Sequence, residues 1–267
     1  MTITLATWNV NSVKSRAEHL QQYLSKPDAP DIVCLQELKC ETDKFPYQIV
    51  DDCGYNHAVH GQKTYNGVAI LSKFPIDEVS TTLDDERIDQ NQSRFIEAVI
   101  SCGTQAIRVT NVYVPNGQSV GSEKFNYKMS FYDALTHHVK KQLGYNEKYI
   151  VTGDFNVAPS DIDVFDPISL KDTVCFHPLE QAKWRNLENL GMIDAYRYTH
   201  PSRHQYSWWD YRGGAWQQNK GLRIDHLLLS PEAADICIQS DVDTSMRQLE
   251  RPSDHAPVWA SFSVDGE

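Results

Sequence analysis

Short apolar runs recur along the chain, and most are closed by a polar or acidic residue. "KYIVTGDFNVAP" is representative: Tyr149, Ile150 and Val151 lead through Gly153 to Asp154 and Asn156. A β-branched run that meets a glycine is the pattern of a buried strand that stops sharply. Residues i and i+2 of a strand share a face, so Asp154 and Asn156 would look into one cleft. The same pair suits a solvated turn, because Asp and Asn bond their own backbone. This stretch alone leaves both readings open.

Other runs repeat the pattern. "ITLATWNV", "DIVCLQE", "NGVAILS", "RFIEAVIS", "AIRVTNVYV", "YSWWDYR", "LRIDHLLLS" and "APVWASFSV" all read as strands. Helical spacing relates Val13, Ala17, Leu20 and Leu24, with Ser12 as N-cap. A short helix is bracketed by Pro46 and Gly54. A long one, from about 122 to 143, carries Phe125, Met129, Tyr132, Leu135 and Val139 on one face, and another lies near 178–190. Adjacent strands with interspersed helices predict an α/β fold of two packed, mainly antiparallel sheets with helices outside. A single domain over 1–267 is expected.

Several classes are disfavoured. No run of about 18 apolar residues exists to span a membrane, and the N-terminus reads as a first strand and not a leader, so a cytoplasmic protein is expected. The six cysteines are scattered without a CxxC pair, which disfavours a zinc site. The net charge of −11 argues against broad, non-specific adhesion to nucleic acid. It leaves room for metal-dependent phosphodiester chemistry, which needs clustered carboxylates. Lys124, Lys128, Arg212, Lys220 and Arg223 would then supply phosphate contacts, or are simply solvated charges.

The strand ends gather the informative residues. Asn9 and Asn11 interrupt the first strand, and Glu37 closes "DIVCLQE". Tyr113 and Asn116 end "NVYVPN", Asp225 lies inside "LRIDHLLL", and Asp254 and His255 precede the last strand. Each alone fits a cap, a bulge or a turn. Together they imply one polar cleft at the rim of a sandwich, since buried like charges repel and are not gathered for stability.

The ordered set "TWNVNS", "LQELK", "NGVAILS", "NVYVPNG", "GDFN", "SWWDYR", "GLRIDHLLLS" and "RPSDHAPV" closely resembles the exonuclease III family of DNA-repair nucleases. These belong to the endonuclease/exonuclease/phosphatase superfamily, which includes deoxyribonuclease I. The likeness runs from about Thr2 to Phe262; "GDFN" and "SDH" mark the superfamily, "SWWDYR" with "GLRID" the narrower branch. It implies a four-layer, deoxyribonuclease I-like sandwich with its site at the open edge of both sheets. Glu37, with Asn9 and Asp254, would hold Mg²⁺, with Mn²⁺ as a substitute, and Asn11 would lie close by. Asp154 would deprotonate the attacking water, while Asn156 and Tyr113, with Asn116 nearby, would hold the phosphate. His255, paired with Asp225, would stabilise developing charge. Trp208, Leu222 and Ile224 would line a pocket for a sugar lacking its base. The implied partner is double-stranded DNA with abasic sites or 3′ ends, acted on by a monomer without any membrane. Two other readings are a superfamily phosphoesterase acting on RNA, lipid or inositol phosphate, and a DNA-binding relative without catalysis.

Overall fold

The computed structural model describes residues 1–264; positions 265–267 of the expected domain lie outside the described residues. Two six-stranded sheets form the centre. The first runs β13 (Cys237–Val242), β14 (Val258–Ser263), β1 (Thr2–Asn9), β2 (Ile32–Gln36), β4 (Val68–Ser72) and β3 (Asn56–His60). The second runs β5 (Ile76–Ser80), β6 (Phe95–Cys102), β7 (Gln105–Tyr113), β8 (Tyr149–Asp154), β12 (Asp225–Leu229) and β9 (Ile193–Asp194). Among the described residues only β1–β2 and β7–β8 pair in parallel, so each sheet is mainly antiparallel, as expected. A hairpin of β10 (Trp208–Trp209) and β11 (Gly221–Leu222) stands apart.

Alternation along the strands builds the layers. Ile3, Leu5, Ile32, Cys34, Val68 and Ile70 face inward and meet Ile96, Ala98, Ile107, Val109, Ile150 and Leu227 of the other sheet. Ala6, Trp8, Val33, Leu35, Ala69 and Leu71 point outward onto α1 (Ala17–Leu24) and α2 (Tyr47–Asp52). On the far side, Tyr149, Val151 and Leu228 pack on α3 (Glu123–Leu143) and α4 (Pro178–Asn189). Central strands covered on both faces must be apolar at every position, which explains the continuous runs in the sequence. Two short helices, α5 (Ala195–Thr199) and α6 (Pro231–Ala234), complete the chain.

Some expectations change. The first helix begins at Ala17 with Arg16 as N-cap, not at Ser12. The Ser12 and Val13 amides donate to the Glu37 and Leu38 carbonyls, which pins residues 12–13 to the end of β2 and out of the helix. "YSWWDYR" contributes only a two-residue strand. "LRIDHLLLS" breaks at 223–224 because the Arg223 amide goes to the Asp163 carbonyl and that of Ile224 to the Ser207 hydroxyl. β8 does not stop at its glycine: it runs through Gly153 to Asp154. There φ is +141°, and a Cβ would lie 1.9 Å from the Val112 carbonyl oxygen, so only glycine lets β7 and β8 stay paired up to the rim.

Candidate active site

The inward-facing ladder turns polar at one end of the sandwich. Along β1 it reads Ile3, Leu5, Thr7, Asn9; along β7 Ile107, Val109, Asn111, Tyr113; along β8 Ile150, Thr152, Asp154. β12 runs the other way and opens with Asp225, which is paired with Asp154 across the ladder. One layer below the rim, the Gln36 amide donates to the Thr7 hydroxyl at 2.8 Å and to Asn111 Oδ1 at 2.7 Å, which joins the sheets. Asn111 in turn donates to the carbonyls of Leu35 and Ala69. Bonds that cross between the sheets in this way tie the two layers together beneath the rim, although Gln36 Oε1 itself is buried without a partner.

Above it lies a cleft of about 380 Å³. Glu37, Tyr113, Asn116, Asp154, Asn156, Trp208, Leu222, Ile224, Asp254 and His255 all line it. Asn9 and Asp225 stand just behind. Asn9 Nδ2 donates to Glu37 Oε1 at 2.9 Å and to Asp154 Oδ2 at 3.0 Å. Asn11 Nδ2 donates to Asp254 Oδ1 at 2.9 Å. Tyr113 donates its hydroxyl to Glu37 Oε1 at 2.9 Å. Thus all thirteen residues singled out from the sequence come together at one rim.

The backbone is bent to achieve this. Asn11, Glu37 and Asn156 all have φ near +50°. Asn tolerates that left-handed conformation, but for Glu37 it costs roughly 1–2 kcal/mol. Asn156 is therefore a turn residue, not a continuation of β8. Its own amide donates to Asp154 Oδ1 at 2.9 Å. Turn and cleft, posed as alternatives by the sequence, hold together here.

Direct charge pairing at the rim is unbalanced. Glu37, Asp154, Asp225 and Asp254 have two cationic partners at ion-pair distance, Lys39 on Glu37 and His255 shared by Asp154 and Asp225, while Arg94 and Arg247 act on Glu37 and Asp254 from farther off. Burial, the Asp225 carboxylate and, more weakly, Glu37 push the Asp154 carboxyl up to about 7, against the pull of His255 and Asn9. Burial pulls His255 down, yet the Asp225 carboxylate overrides it and carries the imidazole up to about 10. His255 Nδ1 donates to Asp225 Oδ2 at 2.9 Å, leaving Nε2 at 3.9 Å from Asp154 Oδ2. Ser207 donates to the same Asp225 oxygen at 2.6 Å and fixes it. Burial would raise Glu37 as well, but the Lys39 ammonium at 2.7 Å and the Asn9 bond hold it below the usual carboxylate range.

Oxygen and nitrogen donor atoms of Glu37, Asp154 and His255 lie within 4.8 Å of one another. A buried, carboxylate-rich donor set suits a hard divalent cation. Of the residues expected to hold a metal, Glu37 belongs to this group, together with Asp154; Asn9 turns its amide nitrogen toward both carboxylates, with its Oδ1 taken by the Asn11 amide, and Asp254 lies outside the group.

Two positions the sequence offered as phosphate contacts are unavailable. Lys128 and Arg223 are fully buried. Lys128 bonds backbone carbonyls and Glu180, while Arg223 bonds Asp163 and faces Asp194. Lys124 does reach the surface, lining a groove of about 520 Å³ next to Glu37 and Tyr113. Arg212 is exposed and paired with Asp210. Lys220 is exposed as well. Sequence reasoning missed Lys39, Arg94 and Cys175. Arg94 stacks on the Tyr113 ring at 4.7 Å. Cys175 lines the cleft, its sulfur 3.6 Å from Asn116 Nδ2. "LQELK" did contain Lys39; nothing local marked the other two.

Comparison with known proteins follows the same lines. The model of the "Endonuclease/Exonuclease/phosphatase family" matches residues 6–255. Exodeoxyribonuclease III of Haemophilus influenzae is 34% identical over 264 residues, covering 96% of this chain and 98% of its own. A 3′-5′ exonuclease (NExo) from Neisseria meningitidis superposes with a TM-score of 0.93 at 42% identity, covering 98% of this chain and 100% of that one. An AP endonuclease from Archaeoglobus fulgidus gives 0.92 at 38% identity, with coverage of 98% and 100%.

Proposed function

The chain belongs to the endonuclease/exonuclease/phosphatase family, and from that premise we propose that it is a Mg²⁺-dependent DNA-repair phosphodiesterase. It removes nucleotides from 3′ ends of double-stranded DNA, clears blocking phosphate or sugar fragments there, and incises 5′ to abasic sites. Its products are 5′-phosphomonoesters. It works as one domain over 1–267, as a monomer in the cytoplasm, and Mn²⁺ substitutes for Mg²⁺. No helix is long and apolar enough to cross a membrane among the described residues.

The observation that carries this reading is the line Asp225–His255–Asp154, with His255 Nδ1 on Asp225 at 2.9 Å and Nε2 at 3.9 Å from Asp154 Oδ2, both Asp154 and His255 having raised pKa values. A carboxylate raised to about 7 is a base matched to neutral pH. An imidazole raised to about 10 is a fixed cation. Asp154 takes the proton of the attacking water, and the water oxygen bonds phosphorus as the P–O3′ bond breaks. His255 Nε2–H donates to a phosphate oxygen on which charge accumulates, with Asp225 holding the ring in that orientation. Asn156 and Asn116 hold the phosphate, the second donating to the first at 2.9 Å. Tyr113 stays a neutral donor, because burial and the Glu37 and Asp154 carboxylates push its phenol well above the usual range. Asp254, bonded by Trp208 Nε1 at 3.0 Å and by Asn11, braces His255 from the side. Glu37 would hold the Mg²⁺, its carboxylate steadied by Asn9 Nδ2, with Asp254 nearby in the same cleft. When bound, the ion supplies Lewis-acid stabilisation of the phosphate and leaving oxygens.

Trp208, Leu222 and Ile224 form an apolar wall with Val174 and Cys175. A sugar without a base fits against such a wall better than a nucleotide stacked in a helix does. The test is a 5′-labelled duplex with one internal abasic analogue, incubated with Mg²⁺ and resolved on a denaturing gel. One cut at the abasic position supports incision, and a ladder from the 3′ end supports trimming. Intact substrate in both modes, with RNA or inositol phosphates hydrolysed instead, would overturn the assignment.

A further inference from the structure

Lys128 is a lysine with no route to solvent, on the inward face of α3, and all three of its ammonium hydrogens have acceptors. It donates to the Asn156 carbonyl at 2.6 Å, to the Asn116 carbonyl at 3.1 Å and to Glu180 Oε1. An ammonium has three donors and no acceptor, so the group is saturated. Two of its bonds go to main-chain oxygens of the two asparagines that face the cleft. Their side chains are joined as well, Asn116 Nδ2 donating to Asn156 Oδ1 at 2.9 Å. Asn156 is a turn residue at φ +49°, outside the β8 ladder, so its position depends on side-chain and tertiary bonds such as this one. Glu180, the counter-ion, accepts the amides of Cys175 at 3.1 Å and His177 at 3.0 Å, which brings the loop after β8 into the same clamp.

We propose that Lys128 is a positioning residue for phosphate binding: it fixes the Asn116–Asn156 pair from behind, through their carbonyls, without touching substrate. This rests on the phosphodiesterase reading for its kinetic consequence. Stability alone is a weak reason to bury this pair, since replacing a buried ion pair by neutral side chains is often close to neutral. What a neutral replacement cannot supply is two simultaneous donors to carbonyls from separate segments.

The test separates Lys128 from its ion pair. Glu180→Gln removes the ion pair and leaves both carbonyl bonds, at a stability cost because it strands the Lys128 charge, so kcat is read per folded enzyme. Lys128→Met/Glu180→Gln removes the carbonyl bonds too, without stranding a charge. On a 3′-ended duplex with Mg²⁺, the single variant is expected to lose less than about threefold in kcat and the double variant about thirtyfold more, a scale set by small displacements of positioning groups. In the Asn116→Ala/Asn156→Ala background the same Lys128 change should cost under about threefold, because its effect runs through that pair. An undiminished thirtyfold loss in that background would overturn the proposal. A second readout needs no turnover: side-chain amide exchange in ¹⁵N-asparagine-labelled protein. Exchange at Asn116 and Asn156 should quicken at least about tenfold from single to double variant, with Asn111, clamped between the sheets, as the unchanged internal control. Equal rates in the two variants would overturn Lys128's role. Wild type inert on DNA, with the amide response present, would sink the phosphodiesterase reading and leave the positioning role standing.

Discussion

Asp154 and Asp163 are nine positions apart, both aspartates, and both buried. Their surroundings drive them in opposite directions. Burial and the neighbouring Asp225 carboxylate push Asp154 up to about 7. Burial would raise Asp163 too, but Arg223 at 2.7 Å and Arg197 overwhelm it and hold the carboxyl well below the usual range. The cluster around Asp163 is balanced: two carboxylates, Asp163 and Asp194, against Arg223 and Arg197. At the rim, Asp154 and Asp225 share a single direct ion partner, His255. A balanced buried cluster fastens the loop after β8 to β12, whereas an unbalanced one is kept ready for a cation and a proton. Burial of charge alone therefore says little; the local sum decides which role a carboxylate plays.

The largest effect should come from Asp154→Asn. Turnover on DNA should fall about 10³-fold or more, the scale of a lost general base, while thermal stability holds or rises because a repelling buried carboxylate is gone. A variant that loses activity only by unfolding would erase the contrast. Next in size is Asp163→Asn, which leaves Arg223 without its nearest counter-charge. Chemical denaturation should show a loss of about 3 kcal/mol, typical of breaking a buried pair from one side. The folded fraction should keep its turnover within about tenfold; a 10³-fold loss would mean the two clusters are one machine.

A third effect concerns the cation. Divalent-ion binding to the unbalanced rim should stabilise wild type by about 2 kcal/mol at ion concentrations well above Kd. Thermal shift against MgCl₂ reads it directly. Glu37→Gln should remove most of the gain and Asp163→Asn none of it. Equal gains in all three proteins would place the ion elsewhere.

The two clusters also differ in how legible they were. At the rim, each polar residue interrupts an apolar run at a strand end, so Asn9, Glu37, Tyr113, Asp154 and Asp225 stood out before any coordinates, and the motif order named the family. The inward ladder of Thr7, Gln36, Asn111 and Thr152 was there too, as a period-two switch from apolar to polar, but it carries no motif and passed as ordinary strand. Central strands were recognised because burial on both faces keeps them apolar throughout. β3, β5 and β13 were not: edge strands expose one face and read as polar, as β5 does with Glu78 and Ser80. The Asp163 cluster was invisible for a different reason. Arg223 sits in the break between β11 and β12, flanked by Leu222 and Ile224, which line the cleft, and its own side chain is fully buried against Asp163. A lone arginine in an apolar run gives no sign that its partners lie 60 residues earlier, at Asp163, and 29 earlier, at Asp194. Treating it as a phosphate contact was the natural error.

The smallest effect tests the balanced cluster through its one histidine. His226 follows Asp225 but points away from the cleft, into the Asp163 network. Arg223 Nη1 donates to its Nδ1 at 2.9 Å, so the ring proton lies on Nε2, which donates to the Val157 carbonyl at 2.8 Å. This is a neutral imidazole by construction, and burial first, then the Arg223 charge, lowers it to about 4. In the unfolded chain the same group binds its proton near 6.5. Between those values the unfolded state therefore holds more protons than the native state, so stability falls as pH drops from about 6.5 to about 4. The slope is at most about 1.4 kcal/mol per pH unit, and other groups titrate in the same window, so only the difference from a variant isolates it. His226→Gln can accept from Arg223 or donate to Val157 without titrating. It should cost about 1 kcal/mol at pH 7.5, and the gap to wild type should shrink or reverse by pH 4.5. Parallel urea-denaturation profiles for the two proteins across that range would mean that His226 is already protonated in the native state, and that the Asp163 cluster carries more positive charge than its balance with Asp194 allows.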